Sequence, residues 1–70
     1  MVKASVIDVK ALRLRLNLSQ PEFARRYGFN LGTLRQWERG RTSPDEAAQS
    51  LLAVINHSPD TVVEALRAAS

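Results

Sequence analysis

The chain has 70 residues, a net charge of +3, one histidine and no cysteine. A chain of this length forms one small domain, and the missing cysteine excludes disulfides and thiolate metal sites. With one histidine we expect no metal site and no cofactor. No apolar run is long enough to cross a bilayer and no signal peptide opens the chain, so we expect a cytoplasmic protein without a membrane segment.

Charge divides the chain into two unequal parts. Residues 10–41 carry eight basic and two acidic side chains, a net charge of +6, whereas residues 42–70 carry a net charge of −3. A basic half of this kind indicates a polyanionic partner such as nucleic acid. The alternative is an arginine-rich surface that only contacts water, and we favour nucleic acid because a helix-turn-helix pattern lies within the same stretch.

The first predicted helix begins after Asp8, a residue suited to cap it. Its apolar stripe has helical spacing and consists of Val9, Leu12 and Leu16. Arg13 falls close to that stripe. Its aliphatic stem could lie along the core with the guanidinium in water, but we favour an ion pair with Glu38 at the far end of the third helix.

Residues 19–40 predict two short helices joined at a sharp corner. Ser19 and Glu22 have the spacing of a capping box, Gly28 is suited to end the first helix, and Asn30 can cap the next. Ala24 is small enough for two steeply crossing helices to approach. The apolar residues that would fill the angle are Phe23, Tyr27, Phe29, Leu34 and Trp37. This pattern predicts a helix-turn-helix, whose second helix enters the DNA major groove.

The third helix, predicted over residues 31–39, turns Leu34 and Trp37 inward and its other side outward. Glutamine can bond adenine, arginine can bond guanine, and an apolar side chain can contact the thymine methyl group. The predicted base-contacting residues are therefore Leu31, Gly32, Arg35 and Gln36. The predicted phosphate-contacting residues are Gln20, Thr33, Arg39 and Arg41. For Arg25 and Arg26, phosphate contact and plain solvent exposure remain equally open.

The C-terminal part, residues 43–70, predicts two more helices. The first would begin with a capping box from Ser43 to Glu46, with Pro44 at its first position, and His57 at its end would be structural. The apolar surface of these helices could serve only to close the core. We favour a two-fold dimer interface formed by Leu51, Val54, Ile55, Val62, Val63 and Leu66. Residues 8–42 would then be the DNA-binding part of a single domain spanning 1–70.

The segment LSQPEFARRYGFNLGTLRQWERGRTSP resembles the Cro/cI-type (XRE) helix-turn-helix repressors. The similarity covers about residues 9–55 and is closest to short autoregulators such as antitoxins and phage-type repressors. It implies a compact all-α domain of five helices, lambda-repressor-like, that binds a palindromic operator as a dimer. It also implies phosphate contact through Gln20, base contact through Leu31, Gly32 and Gln36, and the Arg13–Glu38 pair.

Two functions therefore follow from the sequence. The first is a sequence-specific transcriptional repressor that regulates its own operon, including an operon of the anti-CRISPR kind, by binding double-stranded DNA. The second is an antitoxin whose main task is to bind and neutralise a toxin protein. An enzyme is the poorest fit, since the chain has no cysteine, no glycine-rich phosphate loop and no acid cluster with a suitable partner.

Overall fold

The computed structural model describes residues 7–69, which form five α-helices and no strand. The helices are α1 (Val9–Arg15), α2 (Gln20–Tyr27), α3 (Leu31–Glu38), α4 (Glu46–His57) and α5 (Pro59–Ala69). Residues 1–6 and 70, which we included in the predicted domain, lie outside the described residues. The prediction of an all-α bundle with five helices is confirmed.

Side-chain caps set the beginnings of the first three helices. Asp8 Oδ1 accepts the Ala11 N–H at 3.0 Å at the start of α1. At the start of α2, Ser19 Oγ accepts the Glu22 N–H at 3.2 Å and Glu22 Oε1 accepts the Ser19 N–H at 2.8 Å. Asn30 opens α3 in the same way, so that backbone N–H groups without a helical partner are satisfied locally. All three predicted caps are confirmed.

The corner between α2 and α3 depends on a left-handed residue. Gly28 has φ 76°, a conformation that glycine adopts without the penalty a Cβ would bring. The next residue, Phe29, donates its N–H to Ala24 O at 2.9 Å and so closes the last turn of α2. Only two residues separate this glycine from α3, and the chain therefore turns sharply enough for α3 to cross α2.

The start of α4 differs from the prediction. Asp45, not Ser43, is the N-cap, and its Oδ1 accepts the Ala48 N–H at 2.8 Å. Pro44 consequently lies before the helix instead of at its first position. The predicted Ser43 capping box is wrong because two capping residues lie two positions apart, and the helix begins from the second.

The core draws on all five helices. Its buried hydrophobic residues are Val9, Leu12, Phe23, Ala24, Tyr27, Leu34, Leu52, Ile55 and Val62. Two of the predicted dimer residues belong to this set, since Ile55 is 0% exposed and Val62 is 6% exposed. Their assignment to a dimer interface is wrong, because α4 and α5 use these side chains to close the core of their own chain.

None of the helices in residues 7–69 has both the length and the apolar character needed to cross a membrane.

Hydrogen bonds between helices that are not consecutive in the chain hold the bundle together at its edges. The Arg15 guanidinium donates to the Asn56 carbonyl at 3.1 Å and to its side-chain oxygen at 2.6 Å, which joins the ends of α1 and α4. Tyr27 Oη donates to Pro59 O at 3.4 Å and joins α2 to the start of α5. Burial of this phenol raises the pKa of Tyr27.

Candidate nucleic-acid interface

Helix α3 has one side in the core and one side in water. Leu34 is fully buried and Trp37 is half-buried against the core. On the other side, Thr33 and Arg35 are exposed and Gln36 is partly exposed. The helix therefore presents polar, hydrogen-bonding side chains on an outward face whose direction is set by the buried residues.

A row of aromatic rings fixes the angle at which α3 leaves the core. The Phe23 and Phe29 ring centroids are 5.8 Å apart and nearly parallel, and the Phe29 ring meets Trp37 edge-on at 5.3 Å. Tyr27 also packs on Phe23, at 5.1 Å. Contacts of this geometry contribute roughly 0.5–1.5 kcal/mol each beyond the area they bury. Because the row begins in α2, passes through the corner and ends in α3, it holds the two helices as one unit.

The predicted ion pair between α1 and α3 is present. Arg13 Nε donates to Glu38 Oε2 at 2.8 Å, and Arg13 Nη2 donates to Glu38 Oε1 at 2.9 Å. Arg13 Nη1 also donates to Leu18 O at 2.9 Å, in the link between α1 and α2. The side chains of the pair are only 10% and 5% exposed. This bidentate arrangement is the strongest geometry for an arginine and a carboxylate, and it ties the end of α3 to α1.

Protonation of the pair follows from these contacts. The hydrogen bond from Arg13 lowers the pKa of Glu38, while burial acts in the opposite direction and a hydrogen bond from Gln20 lowers the pKa further. The same pairing raises the pKa of Arg13. Both groups are therefore charged at neutral pH, so Glu38 acts purely as a hydrogen-bond acceptor.

Sequence reasoning missed the link that Gln20 makes between α2 and α3. Gln20 Nε2 donates to Glu38 Oε1 at 3.1 Å, and Gln20 Oε1 accepts from Arg35 Nε at 3.4 Å. The sequence holds no local signal for these contacts, because Gln20 is 18 positions from Glu38 and 15 from Arg35. Gln20, which is predicted to contact phosphate, thus also contacts Arg35, which is predicted to contact a base.

The first turn of α3 offers little hydrogen bonding of its own. Leu31 is half-buried and packs against the core, which leaves only part of its side chain outward. Gly32 is exposed and has no side chain, and a Cβ built there would lie 3.1 Å from Asn30 Oδ1. Side-chain hydrogen bonding on this face of the helix therefore begins at Thr33.

The C-terminal end of α3 leads into a basic corner. Arg39 and Arg41 are exposed on either side of Gly40, which has φ 76°. The Arg41 N–H donates to Gln36 O at 3.0 Å, so the chain folds back over the last turn of the helix. Two exposed arginines that directly follow α3 suit contact with a phosphate backbone.

The sequence profile described as "Helix-turn-helix" matches residues 9–62 of this chain. That range holds α2, α3 and their glycine corner, together with the helices that pack on them. This chain belongs to the XRE-type helix-turn-helix family. It therefore carries a DNA-binding domain of the kind found in transcription regulators.

Two relatives of this helix-turn-helix protein support the assignment. The crystal structure of an XRE-family-like helix-turn-helix protein from Agrobacterium tumefaciens shares 44% identity and a TM-score of 0.83, covering 84% of this chain and 95% of that one. Antitoxin HigA-2 from Vibrio cholerae is 33% identical over 55 residues, which are 79% of this chain. The match spans only 53% of the antitoxin, so this chain covers about half the length of that relative.

A second feature of this helix-turn-helix domain lies away from the outward face of α3. An open cleft of about 500 Å³ lies between α2 and α5. It is lined by Glu22, Arg25 and Arg26 from α2 and by Val63, Leu66 and Arg67 from α5. Arg25 and Arg26, for which the sequence did not decide between phosphate contact and solvent exposure, therefore line this cleft. Among residues 7–69, no group of three or more acidic or histidine side chains is gathered in a way that could hold a metal ion.

Proposed function

We propose that this helix-turn-helix protein is a sequence-specific transcriptional repressor, which binds an inverted repeat as a dimer and regulates its own operon in the cytoplasm. The observation that supports this most is the outward face of α3, whose direction is set by fully buried Leu34 and by the aromatic row. That face lies within the half of the chain that carries a net charge of +6. No catalytic role is part of the proposal.

The proposed contacts divide into two sets. Arg35 and Gln36 bind base edges, with Leu31 offering apolar contact to a thymine methyl group and Gly32 allowing the helix to approach the groove floor closely. The phosphate contacts are Gln20, Thr33, Arg39 and Arg41. Phosphate contacts set the position of the domain on the duplex, and base contacts provide the sequence preference.

Binding to the DNA directly upstream of the gene tests the main proposal. Because each neutralised phosphate releases counterions, log affinity should fall with log salt with a slope of about −0.9 for each phosphate contact. We expect a steep slope on the upstream DNA and much weaker binding to a random duplex of equal length. Equal affinity for both duplexes at every salt concentration would refute sequence-specific regulation.

Gln36→Ala tests base contact by α3. We expect it to lose discrimination at one base pair in each half-site, by roughly 1–3 kcal/mol. Arg25→Ala is the control because Arg25 lines the cleft between α2 and α5 instead of the outward face of α3. If Gln36→Ala retained the full site preference, Gln36 would not be a base-contacting residue.

The dimer interface we now propose uses only side chains that the core leaves accessible. Val54 is 50% exposed and Leu66 is 39% exposed, and the half-buried Leu51 and Val63 lie on the same two helices. Dimerisation is part of the proposal because a small domain contacts few base pairs. Two copies can occupy half-sites about one turn of the duplex apart.

Sedimentation equilibrium tests this interface. Val54→Glu and Leu66→Glu should each shift the protein toward a monomer, because they bury a carboxylate in an apolar contact. Leu14→Glu is the control, since Leu14 is 54% exposed and lies on α1. A dimer that survives both α4 and α5 substitutions, or one lost only with Leu14→Glu, would contradict this surface.

The alternative function is that of an antitoxin, and the similarity to Antitoxin HigA-2 is the observation that favours it. The apolar and acidic C-terminal part is where a toxin protein would bind. Co-expression with the product of the adjacent gene tests this idea. We would expect a stable complex and relief of growth arrest. A neighbouring gene product that neither binds this protein nor arrests growth would contradict the antitoxin function, and the repressor function would then be the one that remains.

A further inference from the structure

Four side chains form a chain of hydrogen bonds that crosses the first three helices. Its members, in order, are Arg13 of α1, Glu38 of α3, Gln20 of α2 and Arg35 of α3. The successive distances are 2.8 Å, 3.1 Å and 3.4 Å. The first two side chains are 10% and 5% exposed, and the last is exposed. A buried ion pair is thus connected to a side chain on the outward face of α3.

The chemistry of its two neighbours allows the Gln20 amide only one orientation. A carboxylate accepts hydrogen bonds and cannot donate them, while a guanidinium donates and cannot accept. The amide nitrogen must therefore face Glu38, and the amide oxygen must face Arg35. Reversing the amide would set two acceptors against each other on one side and two donors on the other, at a loss of both bonds.

This orientation determines which part of Arg35 remains available. Its Nε bonds Gln20, so the two Nη groups are the donors left to bind another molecule. Guanine presents two acceptors, O6 and N7, at a spacing that a pair of guanidinium N–H groups matches. Leu31 and Gly32 bring no hydrogen-bonding side chain to the first turn of α3. Recognition by hydrogen bonds therefore falls to residues further along the helix.

We propose that Gln20 is a positioning residue that orients Arg35, so that its two Nη groups bind O6 and N7 of one guanine in each half-site. The inference rests on the proposed function, because it requires α3 to lie in the major groove. This positioning role is additional to the phosphate contact proposed for Gln20, and the two roles have different consequences. Loss of a positioning residue changes the preference for one base, whereas loss of a phosphate contact weakens binding to all sequences alike.

Selection from a library of randomised duplexes tests the proposal with the full chain. The variants are Arg35→Ala, Gln20→Met and the control Arg25→Ala. Methionine has an unbranched side chain of similar length but cannot replace the amide bonds. We expect a guanine preference that Arg35→Ala lowers roughly tenfold or more. Gln20→Met should lower it roughly threefold to tenfold at the same position only, and Arg25→Ala should leave it unchanged.

The outcomes separate this inference from the function on which it rests. If the unsubstituted protein selects no motif, the proposed function fails and this inference fails with it. If a motif appears but Gln20→Met keeps its guanine preference, or lowers affinity for every sequence equally, only the positioning role is overturned. A motif insensitive to Arg35→Ala overturns it as well. The relative preference for one base over another does not depend on which fraction of the protein is folded. If Gln20→Met does not fold at all, Gln20→Ala takes its place in the experiment.

Discussion

Removal of Glu38 should strongly destabilise this domain, because it would leave the Arg13 guanidinium buried without its carboxylate. Arg13 makes two hydrogen bonds to Glu38, at 2.8 Å and 2.9 Å, and its side chain is only 10% exposed. Breaking a buried pair from one side costs roughly 3–5 kcal/mol. We expect about 3 kcal/mol for Glu38→Ala, because Arg13 keeps its bond to Leu18 O.

That loss is large for a chain of this size. At roughly 0.05–0.15 kcal/mol per residue, the total free energy of unfolding is on the order of 3–10 kcal/mol. A loss of 3 kcal/mol would lower Tm by roughly 12–24 °C. Urea unfolding followed by the fluorescence of Trp37, the single tryptophan, and by circular dichroism measures the change. Glu64→Ala is the control, since Glu64 is exposed on α5.

Two results would refute the reasoning. One is a Glu38→Ala stability within about 0.5 kcal/mol of the control, which is the range expected of a surface substitution. The other concerns the double variant Arg13→Met with Glu38→Leu. Apolar replacement of a whole buried pair is often neutral or stabilising, so the double variant should recover most of the loss. If it were as unstable as Glu38→Ala, the loss would come from packing and not from the stranded charge.

The same pair predicts how stability depends on pH. The native pKa of Glu38 is lowered below the ordinary glutamate value of about 4.5, so the unfolded chain binds a proton first as pH falls. Glu38 contributes its full share of the free energy of unfolding above pH 4.5. That contribution is lost as the pH falls from 4.5 through the lower pKa that Glu38 has in the native state. The cap bonds with Ser19 also lower the pKa of Glu22, so Glu22 contributes to stability in the same direction. Because Glu22 is present in both the unsubstituted protein and the Glu38→Ala variant, its contribution cancels when the two are compared.

The remaining predictions concern acid unfolding and helix ends. The urea midpoint should change less between pH 7 and pH 3 for Glu38→Ala than for the unsubstituted protein. Equal changes in the two proteins would exclude Glu38 as the group whose protonation lowers stability in acid. Gly28→Ala should cost roughly 1–2 kcal/mol, because φ is 76° and an alanine there is strained even though nothing lies within 4 Å of the added Cβ. Asp45→Ala should cost about 1 kcal/mol in the same assay and Ser43→Ala almost nothing; the reverse order would restore Ser43 as the cap of α4.

Much of the helix-turn-helix could be predicted from the sequence because its signals are local. A cap joins residues three positions apart, and the glycine at the corner acts through its own backbone dihedral angles. Ser19, Gly28 and Asn30 could therefore be assigned with only their neighbours in view. The Arg13–Glu38 pair spans 25 positions and has no local signal. The position of Arg13 close to the apolar stripe favours this pair, and the family resemblance implies it as well.

The sequence by itself determined where α1, α2 and α3 begin, which of their faces is apolar and that the basic charge lies in the first two-thirds of the chain. Tertiary structure alone decided which apolar residues of α4 and α5 are accessible. Ile55 and Val54 are neighbouring β-branched apolar residues, yet one is 0% and the other 50% exposed because different neighbours cover them. It also decided that Gln20 connects Glu38 to Arg35. Hydrogen bonds between side chains on different helices depend on how those helices cross, and helix crossing is a property of the packed core that spacing along the chain does not contain.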